Sequence, residues 1–152
     1  MTPGRISKRV LVDRMAWIEQ MLANLRSLPL DDEATFFADI RNEGAAESYL
    51  RRALEALLDL GRHILAKGLG QAVTEYKAIA RQLARYEVLT DREADLLEEM
   101  AGYRNRMVHF YHEISAQELY AICAHQLADV ERVVDGYKRW ARTHPDRLDQ
   151  HL

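Results

Sequence analysis

Ala53-Leu54-Glu55-Ala56-Leu57-Leu58-Asp59-Leu60-Gly61-Arg62-His63-Ile64 decides the fold class of this chain. Its apolar positions, counted from Leu50 through Leu54, Leu57 or Leu58, Gly61, and Ile64 or Leu65, recur at intervals of three and four. That interval is one face of an α-helix and cannot be laid onto a strand of period two. The helix is predicted from about Arg41 or Glu43 to Lys67, with Gly44 either a bend or absorbed within it. Gly68-Leu69-Gly70 ends it, glycine being suited to a left-handed cap.

The same period extends outward in both directions. Upstream, Leu11, Met15, Ile18, Leu22 and Leu25 predict a first helix over 5–27, with Trp17 and Met21 widening its apolar stripe. Pro29 stops it. Asp31 or Asp32 is placed to cap a short turn carrying Phe36, Phe37 and Ile40. Downstream, Tyr76, Ile79, Ala80 and Leu83 predict a helix over 75–85. Thr90-Asp91-Arg92-Glu93 and Ser115-Ala116-Gln117-Glu118 are capping boxes, each opening a further helix. The last is read as one continuous helix from Leu119 to Trp140, followed by a frayed polar tail over 143–152. The prediction is an all-α, antiparallel bundle of about five helices in a single domain spanning 1–152, its core at about 5–140.

Composition agrees. The chain has 152 residues, enough for one sizeable core, and only seven glycines and three prolines to punctuate a many-stranded sheet. A formal net charge of −3 argues against coating nucleic acid through bulk electrostatics, though a local basic cleft remains compatible with an RNA enzyme. The single Cys123 cannot form an internal disulfide and falls on an apolar helical stripe, as a small core residue. No apolar run approaches a membrane span of about 18 residues, and Met1-Thr2-Pro3-Gly4-Arg5 is not followed by a signal-peptide core. A cytoplasmic protein without membrane contact is expected.

Chemistry concentrates in Met100-Ala101-Gly102-Tyr103-Arg104-Asn105-Arg106-Met107-Val108-His109-Phe110-Tyr111-His112-Glu113. Histidine can move a proton near neutral pH, and arginine can hold phosphate oxygens. Together Arg104 and His109 suit metal-independent RNA cleavage: a base activates a ribose 2′-hydroxyl, and a cation stabilises the charge that develops on the phosphate. Asn105 is placed to orient His109 or hold the phosphate, with Arg106 adding charge and Tyr111 a donor or stacking ring. At about 100° per residue, Arg104 and His109 lie about 140° apart, so their convergence calls for a helix end, a second copy of the chain, or both. The bland alternative pairs Arg104 with Glu99 and leaves His109 as a helix-end residue. His109 and His112 are a poor set for zinc; neither metal nor cofactor is expected.

Arg104-Asn105-x-x-Val108-His109-x-Tyr111 resembles the signature of HepT, the toxin half of MntA–HepT toxin–antitoxin systems within the HEPN superfamily. Ala46-Glu47-x-x-Leu50, the quoted helix, and Leu96-x-x-x-Met100-Ala101-Gly102-Tyr103-Arg104-Asn105 are similar to the corresponding family helices. The resemblance implies a homodimer with the motifs facing a shared cleft, a toxin endoribonuclease with Arg104 and His109 as catalytic pair, and an MntA-like nucleotidyltransferase antitoxin that silences it by AMPylating Tyr111. A non-catalytic acceptor subunit of such a nucleotidyltransferase is the other reading. Elsewhere, His63 is expected to pack with Asp59 as its partner. Asp39, Arg41 and Glu43 are compatible with either the cleft or a helix start. Arg51-Arg52 reads by default as a solvated face. Trp17 and Trp140 read as core or dimer contacts.

Overall fold

A computed structural model describes residues 4–109 and 113–149. Among these, seven α-helices account for most of the chain: α1 Lys8–Arg26, α2 Glu33–Phe37, α3 Ile40–His63, α4 Tyr76–Arg85, α5 Asp91–His109, α6 Ala116–His125 and α7 Leu127–Thr143. The all-α bundle is the fold that the helical period predicts. The first three helices are each capped by an oxygen side chain. Ser7 Oγ accepts the Val10 N–H at the head of α1, Asp32 accepts from Ala34, and Asp39 accepts from Arg41. At α5 the capping box closes both ways: Glu93 N–H donates to Thr90 Oγ1 at 3.1 Å, and Thr90 N–H donates to Glu93 Oε1 at 2.8 Å.

The central element is α3, which absorbs Gly44 and packs against α1, α2, α4, α5, α6 and α7. Leu50, Leu54, Leu57, Leu58 and Leu60 are fully buried along it. Gly61 is needed where α3 meets α4 and α7, because a Cβ there would stand 2.6 Å from Tyr137 Oη and 2.9 Å from Leu83 Cδ1. That phenol donates to the Leu57 carbonyl at 3.1 Å, which satisfies it in the core. Past His63 the helix widens into a π-helical turn over Ile64–Gly68. Gly70 then takes φ 66°, the left-handed conformation glycine supplies cheaply.

Two expectations are corrected. The predicted last helix is two, broken at Gln126 (φ −120°, ψ 7°). The apolar stripe runs through the break without glycine or proline, so the period gives no sign of it. Both halves pack against α3, but their other partners differ. Tyr120 on α6 donates to Leu30 O at 2.7 Å and packs edge-on against Phe36. On α7, Val133, Val134, Tyr137 and Trp140 are buried, and the helix packs against α5 and α3. The tail is also not frayed as far as Asp149. Pro145–Arg147 form a 3₁₀ turn, and Leu148–Asp149 (β2) pair in parallel with Ile6–Ser7 (β1). Burial of Leu148 and an Arg147 hydrogen bond to Gly68 O at 3.1 Å fasten it. Among the described residues no helix is long and apolar enough to cross a membrane.

Candidate active site

Where α5 passes the end of α3 and the start of α4, the side chains enclose a cleft of about 510 Å³. From α5 come Arg104, Asn105 and His109; from α3, Arg62; from the approach to α4, Thr74 and Glu75; and from its first turn, Tyr76 and Lys77. Arg104 and His109 therefore share a cleft although α5 runs through both. Despite the 140° offset both line the cleft, which residues 74–77 also line. A groove of similar size between α1 and α7, lined by Leu11, Val12, Met15 and Leu148, gathers no comparable acid–base pair.

Arg104 is held rather than free. Its guanidinium lies over the Tyr76 ring, 4.6 Å from the centroid, within the range of a cation–π contact. Its side chain is 18% exposed, with Nε 3.9 Å from Glu55 Oε1. That Nε is sequestered from solvent and makes no hydrogen bond among the described residues. One terminal nitrogen donates to Asn105 Oδ1 at 3.3 Å. Tyr76 is itself anchored, since its hydroxyl donates to Asp59 Oδ1 at 2.8 Å. Asp59 also takes a 2.6 Å bond from Arg62, whose guanidinium lies 5.4 Å from the same ring. Burial raises the Tyr76 phenol above its usual pKa, and the Asp59 carboxylate adds to this. His109 is exposed at the mouth of the cleft. Three cations, Arg62, Lys77 and Arg104, line the cleft together with Glu75, with Asp59 and Glu55 as the ion-pair partners of Arg62 and Arg104.

Of the sequence candidates, the structure brings Arg104, Asn105 and His109 together. Arg106 lies elsewhere, because two residues along a helix turn the side chain through about 200°. It binds Glu118 at 2.6 and 3.0 Å and the Glu113 carbonyl at 2.9 Å, tying α5 to α6. This also explains why the second capping box closes one way: Ser115 Oγ accepts from Glu118 N–H while the Glu118 carboxylate holds Arg106. Tyr111 and His112 lie outside the described residues.

Glu99 does not pair with Arg104; it accepts from the Tyr103 hydroxyl at 2.7 Å. His63 does not meet Asp59, which is occupied by Arg62 and Tyr76, and its Nε2 is buried without a hydrogen-bond partner among the described residues. Desolvation, helped by Arg14 and Lys67, lowers its pKa. Asp39 caps α3 and grips Arg41, which holds its carboxyl at about 2. Arg51 pairs with Glu47 and Glu55. Tyr76 and Arg62 were not legible as site residues; Tyr76 reads as one more apolar position of α4.

A family model described as ribonuclease HepT-like matches residues 18–136. The mRNA nuclease HepT of Shewanella oneidensis is 25% identical over 132 residues, covering 85% of this chain and 96% of that protein. The tRNA nuclease HepT of Aphanizomenon flos-aquae is 27% identical over 115 residues, covering 73% and 76%. In three dimensions the chain is similar to a tri-AMPylated Shewanella oneidensis HEPN toxin solved in complex with its MNT antitoxin. The TM-score is 0.77 at 24% identity, covering 86% of this chain and 97% of that one. A cytosolic Bacillus subtilis protein of unknown function, YutE, gives a TM-score of 0.77 at 22% identity, covering 96% and 98%. At these identities the structural likeness establishes the fold.

Proposed function

The chain belongs to the HepT-like ribonuclease family, and on that premise we propose that it is a metal-independent toxin endoribonuclease whose working cleft is the one holding Arg104 and His109. The observation that carries this reading is the placement of a fixed guanidinium, stacked on Tyr76, in one cleft with an exposed imidazole.

The chemistry follows from those two groups. A phosphodiester enters the cleft with its non-bridging oxygens toward Arg104. His109, neutral, takes the proton of the adjacent ribose 2′-hydroxyl as that oxygen bonds to phosphorus. Charge grows on the phosphoryl oxygens, where the guanidinium is already in place and needs no reorganisation. The P–O5′ bond breaks, the leaving oxygen takes a proton from water, the proton on His109 returns to solvent, and the products are a 2′,3′-cyclic phosphate and a 5′-hydroxyl. Asn105, which also lines the cleft, steadies Arg104 through its Oδ1. Arg106 acts on the fold through Glu118 rather than on phosphate.

We further propose a homodimer with the two motif segments facing each other. Val108, 38% exposed and next to His109, and Ile40, 82% exposed, provide apolar surface that a second copy would cover. Regulation in this reading falls to a nucleotidyltransferase antitoxin that AMPylates Tyr111, two residues past His109. AMP would add phosphate charge and adenine bulk beside the cleft and so compete with RNA.

The test is cleavage of RNA by the purified chain in EDTA. Wild type is expected to cleave, while Arg104→Ala and His109→Ala lose activity and retain the fold. Activity that needs a metal, or that survives both substitutions, overturns the reading. Absence of cleavage by unmodified protein would favour the acceptor-subunit alternative.

A further inference from the structure

We propose that the face formed by α1 and α3 beside the cleft is an exosite for single-stranded RNA, in which a base stacks on Trp17 and the flanking phosphates are held by Arg14 and Arg52. This rests on the nuclease reading for its choice of polymer, but not for its geometry.

The first observation is the indole. Of the two tryptophans, Trp140 is buried as the apolar stripe predicts, whereas Trp17 is 46% exposed. It lies in a shallow groove of about 390 Å³ that also takes in Arg14 and Asp13 from α1, and Arg52, Glu55 and Asp59 from α3. Exposed aromatic surface among cations is the arrangement that binds single strands without sequence readout. Every base has a π-face, and every linkage carries a charge.

The three carboxylates do not cancel the cations. Asp13 stands 3.8 Å from Arg9. Glu55 lies 3.3 Å from Arg51 and 3.9 Å from Arg104, and Asp59 is 2.6 Å from Arg62. Each acid is thus matched by an arginine other than Arg14 or Arg52. Those two are exposed and have no ion-pair partner among the described residues. They flank the indole as the charges left over for an anionic ligand.

The groove also abuts the proposed active site. Glu55 and Asp59 form the groove's α3 side, and the same two carboxylates hold Arg104 and Tyr76 in the cleft. A strand leaving the cleft across α3 therefore meets Trp17 next. A protein partner is the less favoured occupant. Most residues around the indole are charged, and the other exposed large apolar residues among those described, Val12, Ile40 and Val108, do not line this groove.

The test uses the full chain and a 2′-O-methyl dodecanucleotide, which lacks the nucleophile and so reports binding independently of cleavage. Binding is expected to quench tryptophan emission in wild type and to leave the residual Trp140 emission of Trp17→Ala unchanged. Trp17→Ala should weaken affinity on the order of 5- to 100-fold, and Trp17→Phe, which keeps a π-face, should recover most of it. Arg14→Gln with Arg52→Gln should reduce the slope of log affinity against log salt by about 1.4, at about 0.7 per phosphate contact. These shifts in a chain that cleaves nothing would uphold the exosite while the nuclease reading falls. Unaltered affinity and salt slope in the variants of an active nuclease would overturn the exosite alone. A change in sedimentation with unaltered RNA affinity would also overturn it, assigning the face to a protein contact.

Discussion

Replacing Tyr76 tests whether Arg104 works because it is held. The ring is 4.6 Å from the guanidinium carbon, and the arginine side chain is 18% exposed. A cation–π contact ranges from about 0.5 kcal/mol in water to about 2 kcal/mol when desolvated. The low exposure of Arg104 puts this one at about 1–2 kcal/mol. If that energy keeps the guanidinium where the phosphoryl charge develops, Tyr76→Leu should lower kcat by about 5- to 30-fold, at about 1.4 kcal/mol per tenfold. This is less than the roughly 10²- to 10³-fold expected from losing a charge-stabilising donor outright. Tyr76→Phe is the control. It keeps the ring but loses the 2.8 Å bond to Asp59, which still has Arg62. It should cost about 1–2 kcal/mol of stability while kcat stays near wild type. The assay is single-turnover cleavage of a fluorogenic RNA at saturating enzyme, with thermal melting to confirm folding. A folded Tyr76→Leu with wild-type kcat would refute the positioning role. Equal losses in Phe and Leu would move the effect from the ring to the hydroxyl.

Other outcomes follow from the core. His63 sits below its ordinary value of 6.5 because burial disfavours the charged ring. The unfolded chain therefore binds the proton more readily, so stability is lost as pH falls through 6.5 toward the folded-state pKa. Urea midpoints between pH 7.5 and 5 should fall for wild type and fall less for His63→Phe; parallel curves would reject this. Gly61→Ala should destabilise by about 1–3 kcal/mol, because its Cβ would stand 2.6 Å from the buried Tyr137 hydroxyl, and an unchanged melting temperature would contradict the packing.

The helices were legible because their stripes are long and their starts carry oxygen side chains. Ser115 accepts an N–H from the first turn of α6, and the Thr90 box is reciprocal; the Ser7 cap lies inside the 5–27 span predicted for the first helix, so the start of α1 was not legible. Three further features were not legible. The break at Gln126 leaves the apolar period intact and is set by what α6 and α7 each pack against. The docking of Leu148 on Ile6 is a contact between chain ends, which no local pattern encodes. The cleft joins residues from α3, α4 and α5, so the anchoring of Arg104 by Tyr76 is a tertiary fact. Asp59 shows the competition directly. At four residues it could serve His63, yet a cation at three residues and a phenol from α4 take it. The motif on α5 pointed to the proposed chemistry, and family resemblance supplied the role proposed for Tyr111.

The central claim is attack by a ribose 2′-hydroxyl in the Arg104–His109 cleft. It is tested most directly by mapping one cleavage site in EDTA, then repeating the reaction with a single 2′-deoxy nucleotide on the 5′ side of that bond. A 2′,3′-cyclic phosphate end is expected from the all-ribose strand, with no cutting of the substituted bond. A 3′-hydroxyl product, or undiminished cutting of the deoxy-substituted bond, would contradict it.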